Sequence, residues 1–269
     1  MQRFTLEAQN LHRSFGGVRA VDNVSFGVRP GELLALIGPN GAGKSTCFNL
    51  LNGQLKPDSG VVKFLGNEIT GLPPRRVARR GVGRTFQITA TFGSMTVREN
   101  VQLALMANRK ELRRFWTPAR RLRGGQADTL LERVGLAGQV NRPCAVLAYG
   151  DLKRVELAIA LAGNPKLLLM DEPTAGMAPQ ERVGLMALVA ELARERGMAV
   201  LFTEHDMDVV FGHADRVLVL DRGRLIAEGS AEEVRNNPLV QDVYLGGGFE
   251  EELAEVEPEP DPEQEAPEC

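Results

Sequence analysis

Nine consecutive residues, Gly38-Pro39-Asn40-Gly41-Ala42-Gly43-Lys44-Ser45-Thr46, have the spacing G-x-x-x-x-G-K-[ST]. Glycines at these positions permit positive φ and let backbone N–H groups turn inward around phosphate oxygens. Lys44 would bring a point charge to the β- and γ-phosphates of a nucleotide. The Ser45 hydroxyl is a hard oxygen ligand suited to Mg2+. A glycine-rich structural turn is the bland alternative. It leaves unexplained why the loop lies between a continuous apolar run, Leu33–Ile37, and a helix start, where the helix dipole adds positive potential.

A second group of residues could complete that chemistry. Leu167-Leu168-Leu169-Met170-Asp171-Glu172-Pro173 is an apolar strand that ends in two acids. Parallel α/β sheets bind ligands at the carboxyl ends of their strands. Asp171 is expected to hold Mg2+, and Glu172 to orient or deprotonate a water attacking the γ-phosphate. A lone pair of acids is commonly just a strand leaving the core. Paired with the phosphate loop, it reads as the second half of a phosphoryl-transfer site.

These groups need elements to hold them. Short strands are expected at residues 4–9, 17–28, 61–65, 217–220 and 224–228, and buried ones at 33–37, 167–170 and 199–203. Helices are expected from Lys44 to Asn52, over a short stretch from Pro73-Pro74 to about Gly81, and over Gln180–Arg196. Residues from about 91 to 162 read as mostly helical. Strands flanking helices indicate an α/β core with a largely parallel sheet, into which the helical block is inserted.

At this point the chain resembles the ABC-type ATPases, over nearly all of residues 4–247. The phosphate loop resembles their Walker A motif, and Leu167–Glu172 resembles Walker B. Gly83-Arg84-Thr85-Phe86-Gln87 resembles the Q-loop, which would put Gln87 near Mg2+ and the attacking water. Thr203-Glu204-His205-Asp206 resembles the H-loop, which would put His205 on the γ-phosphate. Phe15 falls where the family has its adenine-stacking aromatic, with a core Phe as the alternative. The resemblance implies a P-loop NTPase fold of ABC type: a mixed sheet core, an antiparallel β subdomain and an inserted α-helical subdomain at about 91–162, together forming one domain over residues 1–248.

Leu147-Ala148-Tyr149-Gly150-Asp151 occupies the position of the family's LSGGQ signature, which binds the γ-phosphate of a nucleotide held by a second subunit. Ala148 lacks the usual hydroxyl, Tyr149 replaces a glycine, and Asp151 adds a negative charge. Gly150 and the helix N-terminus keep the backbone donors. The D-loop, Ala175-Gly176-Met177-Ala178, lacks its usual Asp. Within the family the LAYG form is similar to the LivG-like ATPases of branched-chain amino-acid importers, as are Glu204–Val210, Glu233–Pro238 and Tyr244-Leu245-Gly246. This implies Mg2+ and ATP as cofactors and a second ABC ATPase subunit, in a heterodimer, as partner. It also implies transmembrane permease subunits, a solute-binding protein acting indirectly, and a peripheral place on the cytoplasmic face of the inner membrane. An exporter-type ATPase, for instance one serving lipopolysaccharide, is the alternative. A soluble ABC ATPase of DNA repair or translation fits less well, because those carry two cores or a long coiled coil and this chain shows one core and no sustained heptads.

Composition sets outer bounds. The chain has 269 residues, 43% of them apolar, and a net charge of −3, so there is no global basicity pointing to nucleic acid. Its apolar runs are far shorter than the roughly 20 residues that span a bilayer, and Met1–Thr5 does not read as a secretory signal. Cys47, Cys144 and Cys269 have no paired or metal-like spacing, which reads as a reduced cytosolic protein. Charge is unevenly placed. Glu250–Cys269 holds ten acids, four prolines and no Lys or Arg, leaving 32 basic against 25 acidic residues in the rest. This tail, residues 249–269, is expected to be disordered. Asn108–Arg123 holds Arg109, Lys110, Arg113, Arg114, Arg120, Arg121 and Arg123 against Glu111, with Phe115 and Trp116 in its middle. It reads either as a contact with anionic lipid or a membrane partner, or as a solvated helix face.

Overall fold

The chain holds strands of two kinds, half-covered and fully covered. A computed structural model describes residues 4–85, 91–108 and 123–245. The chain opens with β1 (Leu6–Phe15) and β2 (Val18–Val28), antiparallel partners whose buried positions largely alternate with exposed ones. β3 (Leu33–Ile37) follows and is buried at all five positions. Then come α1 (Lys44–Leu51), β4 (Ser59–Phe64), β5 (Asn67–Glu68), α2 (Pro74–Arg79) and β6 (Val82–Arg84). The helical block holds α3 (Val97–Asn108), α4 (Gly124–Arg133), two single 3-10 turns at Ala137–Gln139 and Cys144–Val146, and α5 (Tyr149–Leu161). The remainder is β7 (Leu167–Asp171), α6 (Pro179–Arg196), β8 (Ala199–Thr203), α7 (Met207–His213), β9 (Arg216–Asp221), β10 (Arg224–Gly229), α8 (Ala231–Arg235) and α9 (Pro238–Leu245).

Two sheets result. One is antiparallel, in the order β2-β1-β4-β5; the other is mixed, in the order β10-β9-β3-β8-β7-β6, with only the β9–β10 pair antiparallel. In the mixed sheet the period-2 alternation of strands splits the core. Leu33, Ala35 and Ile37 join Leu168, Met170, Val200 and Phe202 under the helical block and α6. Leu34 and Leu36 point the other way, to Leu167, Leu169, Leu201 and Phe48 of α1. Each such fully buried Leu, Ile or Phe contributes about 1.5–3 kcal/mol. The parallel strands β3, β6, β7 and β8 all end on one edge, so Gly38, Thr85, Glu172 and Glu204 emerge side by side there.

The elements depart from the sequence reading in places. β1 runs on to Phe15 rather than ending near residue 9, through register shifts beyond Ala8 and a left-handed Asn10, because a bulge hides the alternation. β6 was not expected. Three residues, Val-Gly-Arg, carry too little pattern, and parallel pairing with β7 makes the strand. α7 and α8 were also missed; both are capped locally, α7 by Asp206 and α8 by a Ser230/Glu233 capping box. Gln87, the stretch 109–122 with Phe115 and Trp116, and the tail 249–269 lie outside the described residues.

Candidate active site

The phosphate loop is shaped by close backbone contacts. Gly43 is the N-cap of α1 with φ 104°. A Cβ there would lie 2.2 Å from the Ala20 carbonyl oxygen, and one on Gly38 would lie 2.1 Å from that of Leu220. Any side chain at either position would push the loop off its support. No side chain caps α1, so the N–H groups of its first turn point outward with the positive end of the helix dipole. Lys44 is 8% exposed, and its Nζ donates to the carbonyls of Gly38 (2.5 Å) and Pro39 (3.1 Å). Burial lowers its pKa, while the negative charges of Glu172 and Asp171 act in the opposite direction. Ser45 is exposed beside it.

The acids occupy the next strand end. One Asp171 oxygen accepts from Thr203 Oγ1 (2.9 Å), and the other lies 3.3 Å from Arg84 Nη2. Arg84 also donates to Asn49 Oδ1 (3.1 Å) and Gln54 Oε1 (2.8 Å), tying β6 to the far end of α1. Glu172 has φ 47°, a left-handed conformation that costs a residue with a Cβ about 1–3 kcal/mol. Its N–H donates to the Thr203 carbonyl and hydroxyl, both at 3.1 Å. The kink turns the Glu172 side chain toward β8, where Oε1 is 3.1 Å from His205 Nε2. Ser45 and Asp171 form a sparse, all-oxygen set. That fits Mg2+, which is usually held by one or two carboxylates plus substrate phosphates. Among the described residues no three His, Cys, Asp or Glu side chains gather as a metal cage.

Phe15 ends β1, is 44% exposed and has the Arg13 guanidinium 4.7 Å from its ring centroid, so it is not a core residue. At the start of α5, Ala148 is the N-cap and makes no side-chain bond. The Tyr149 ring lies over Gly176, where a Cβ would sit 3.3 Å from its Cε1. The Lys153 ammonium stands 5.4 Å from the same ring and 3.4 Å from Glu156. A Cβ on Gly150 would meet the Glu181 carboxyl at 2.9 Å. Ala178 is the N-cap of α6, again with no side-chain bond.

The family model for ABC transporters matches residues 21–175 of this chain. The high-affinity branched-chain amino acid transport ATP-binding protein LivG of Salmonella typhimurium is 43% identical over 256 residues, covering 91% of this chain and 99% of that protein. The chain belongs to the ABC transporter ATP-binding family. BraF of Pseudomonas aeruginosa, named for the same transport role, is 40% identical over the same shares. A second family model, for branched-chain amino acid ATP-binding cassette transporters, matches residues 224–250. A solved ATP-binding cassette of an ABC transporter in its ADP conformation superimposes with a TM-score of 0.81 and 34% identity, covering 90% of this chain and 99% of that one.

As in other ABC cassettes, this one is an α/β P-loop ATPase with a mixed sheet and an antiparallel sheet. No helix among its described residues is long and apolar enough to cross a membrane. The structure brings Lys44, Asp171, Glu172 and His205 to one edge of the mixed sheet. Ala148, Tyr149, Gly150 and Asp151 lie apart from them, around the first turn of α5. Sequence reasoning missed Arg84, Thr203, Arg182 and Glu204. Arg182 donates from Nε to the Met177 carbonyl (2.8 Å) and from Nη1 to Asp206 Oδ2 (2.5 Å). Glu204 is 4% exposed and burial raises its pKa, while hydrogen bonds from Thr174 and His205 pull it back. An acid placed directly after a buried strand was the available signal, and it was absorbed into the H-loop resemblance.

Proposed function

We propose that this chain is the ATP-hydrolysing subunit of an importer of branched-chain amino acids. The observation that carries the reading is the 43% identity to LivG across nine-tenths of the chain, supported by the match of residues 224–250 to the branched-chain transporter model. Residues 1–248 serve as one ATPase domain, docked on permease subunits at the cytoplasmic face of the membrane, and a solute-binding protein delivers the amino acid. The second cassette is a related but different subunit. Ala148 and Asp151 weaken the signature, so a homodimer would place that weakened half over both nucleotides.

The residues divide the work. Phe15 stacks on the adenine, and Gly38–Thr46 wrap the phosphates with backbone donors and Lys44. Ser45, Asp171 and Gln87 would hold Mg2+, whose charge offsets that of the β- and γ-phosphates. Glu172 accepts a proton from water as the water oxygen bonds to the γ-phosphorus. The bond from that phosphorus to the bridging oxygen breaks, and ADP leaves with the electron pair. His205 steadies Glu172 and the γ-phosphate. In the assembled complex, Glu172→Gln should cut turnover by about 10²–10⁴, as for a lost general base, with ATP affinity little changed. Wild-type turnover would overturn that role. Reconstituted with its permease and partner cassette, the complex should take up leucine, isoleucine or valine when ATP is supplied. Failure with all three, while another solute is moved, would overturn the substrate class. Efficient ATP-dependent self-crosslinking between a cysteine near Lys44 and one near Gly150, with full turnover by the isolated chain, would overturn the heterodimer.

A further inference from the structure

The loop that presents Glu172 is closed by two backbone bonds, from the Ala175 N–H to the Glu172 carbonyl and from the Met177 N–H to the Thr174 carbonyl. Glu172 is strained, Ala175, Gly176 and Ala178 are exposed, and Ala178 does not cap the next helix. His205 is no better fixed by packing, since its side chain is half exposed. Yet Glu172 and His205 meet at 3.1 Å. Thr174, 1% exposed, lies two residues beyond Glu172, and Glu204 lies immediately before His205. Glu204 Oε1 accepts from both the N–H (2.8 Å) and the hydroxyl (2.7 Å) of Thr174, and Oε2 accepts from the His205 N–H (3.3 Å).

We propose that Glu204 is a positioning residue that clamps the Glu172 loop to the strand end carrying His205, and so sets the approach of the base to its partner. A carboxylate in this place is costly to bury, and a Thr or Val there would fold at lower cost. What a carboxylate adds is one oxygen that accepts both donors of Thr174 and a second that accepts the N–H of the following residue, His205. Without it, both Thr174 donors would be buried unpaired. Arg182, bridging Met177 and Asp206, is a second clasp on the same two segments. Glu204 bonds to Thr174 and to the His205 N–H. It therefore acts through Glu172 and His205, and the inference rests on the roles proposed for them.

The test uses the full chain in its assembled complex. Glu204→Ala should lower kcat roughly 10–100-fold, the scale of a displacement of about 1 Å in a catalytic group. KM for ATP should stay within about threefold, because ground-state binding is untouched. Thr174→Val, close in volume, should lose part of the same turnover, and Thr174→Ser, which keeps both donors, should hold it near wild type. The double variant E204A/T174V should be no worse than E204A alone if one contact is removed twice. A second readout needs no turnover. The chain has three histidines, so the His205 ring can be assigned by NMR in the full chain alone, and its shifts should move in E204A and T174V but not in T174S. A rise in KM with kcat unchanged, additive losses in the double variant, or a His205 ring unmoved in E204A would overturn the proposal. Should E204A not fold, equal turnover of T174V and wild type overturns it. Glu172→Gln is run beside these. If it hydrolyses at the wild-type rate, the reading of the site fails first, independently of Glu204.

Discussion

The starts of α1 and α5 are both helix N-termini without a side-chain cap, and they are furnished in opposite ways. At α1 the cap is a left-handed glycine, the first helical residue is the buried Lys44, and no acid stands in the first turn. The potential there is positive and open to an anion. At α5 the cap is Ala148, Asp151 stands in the first turn, and the Glu181 carboxyl lies against Gly150. The positive end of α5 is thus largely answered by the protein's own carboxylates. Tyr149, lying on Gly176 and beside Lys153, joins this region to the loop that leaves Glu172. A helix N-terminus is therefore not by itself a phosphate site. What decides is which charges the neighbouring elements bring to it.

The contrast can be pressed from both sides. With the role proposed for Lys44, Lys44→Ala would remove a charge-assisted contact to phosphate worth about 1.5–3 kcal/mol, so ATP affinity of the full chain should fall roughly 10–150-fold. Equilibrium titration checks this, and an unchanged affinity would erase the distinction between the two helix starts. Tyr149→Gly restores the family's usual residue but removes the ring from Gly176 and Lys153 and puts glycine in a helix. Stability should drop by about 1–2 kcal/mol in a urea melt, and a gain instead would mean that the ring is merely tolerated. Ala148→Ser supplies both a cap and the missing hydroxyl, and should raise stability by about 1 kcal/mol. It should also raise turnover of the complex without altering ATP affinity at Lys44. The smallest change is expected from Glu181→Gln. Relieving one carboxylate at the α5 start should favour an incoming phosphate by about 0.3–1 kcal/mol, a gain of roughly two- to fivefold in the ATP affinity of the assembled complex. The effect should shrink with added salt.

Much of this site is legible in the amino-acid sequence. Gly38–Thr46 and Leu167–Glu172 could be read because their demands are local. Positive φ needs glycine, a buried parallel strand needs an unbroken apolar run, and the proposed chemistry sits where each run stops. His205 was found only through the resemblance, since a lone histidine after an apolar strand has no spacing rule of its own. β6 was not legible, because three residues including a glycine carry no period.

Neighbouring residues alone specify the glycine-rich loop, the acid pair and the α/β alternation that sets them on parallel strands. Long-range packing is what makes Glu172 meet His205, Arg84 meet Asp171 and Glu204 hold Thr174. These pairs are 33, 87 and 30 residues apart in the chain. The same packing makes Glu181 answer the start of α5 and Tyr149 cover Gly176. The physical reason is the same in each case. Backbone conformation and apolar period are written in neighbouring residues, whereas a contact between two strand ends depends on strand order and register. Those follow from how the whole core packs, and they leave no mark on the few residues that finally touch.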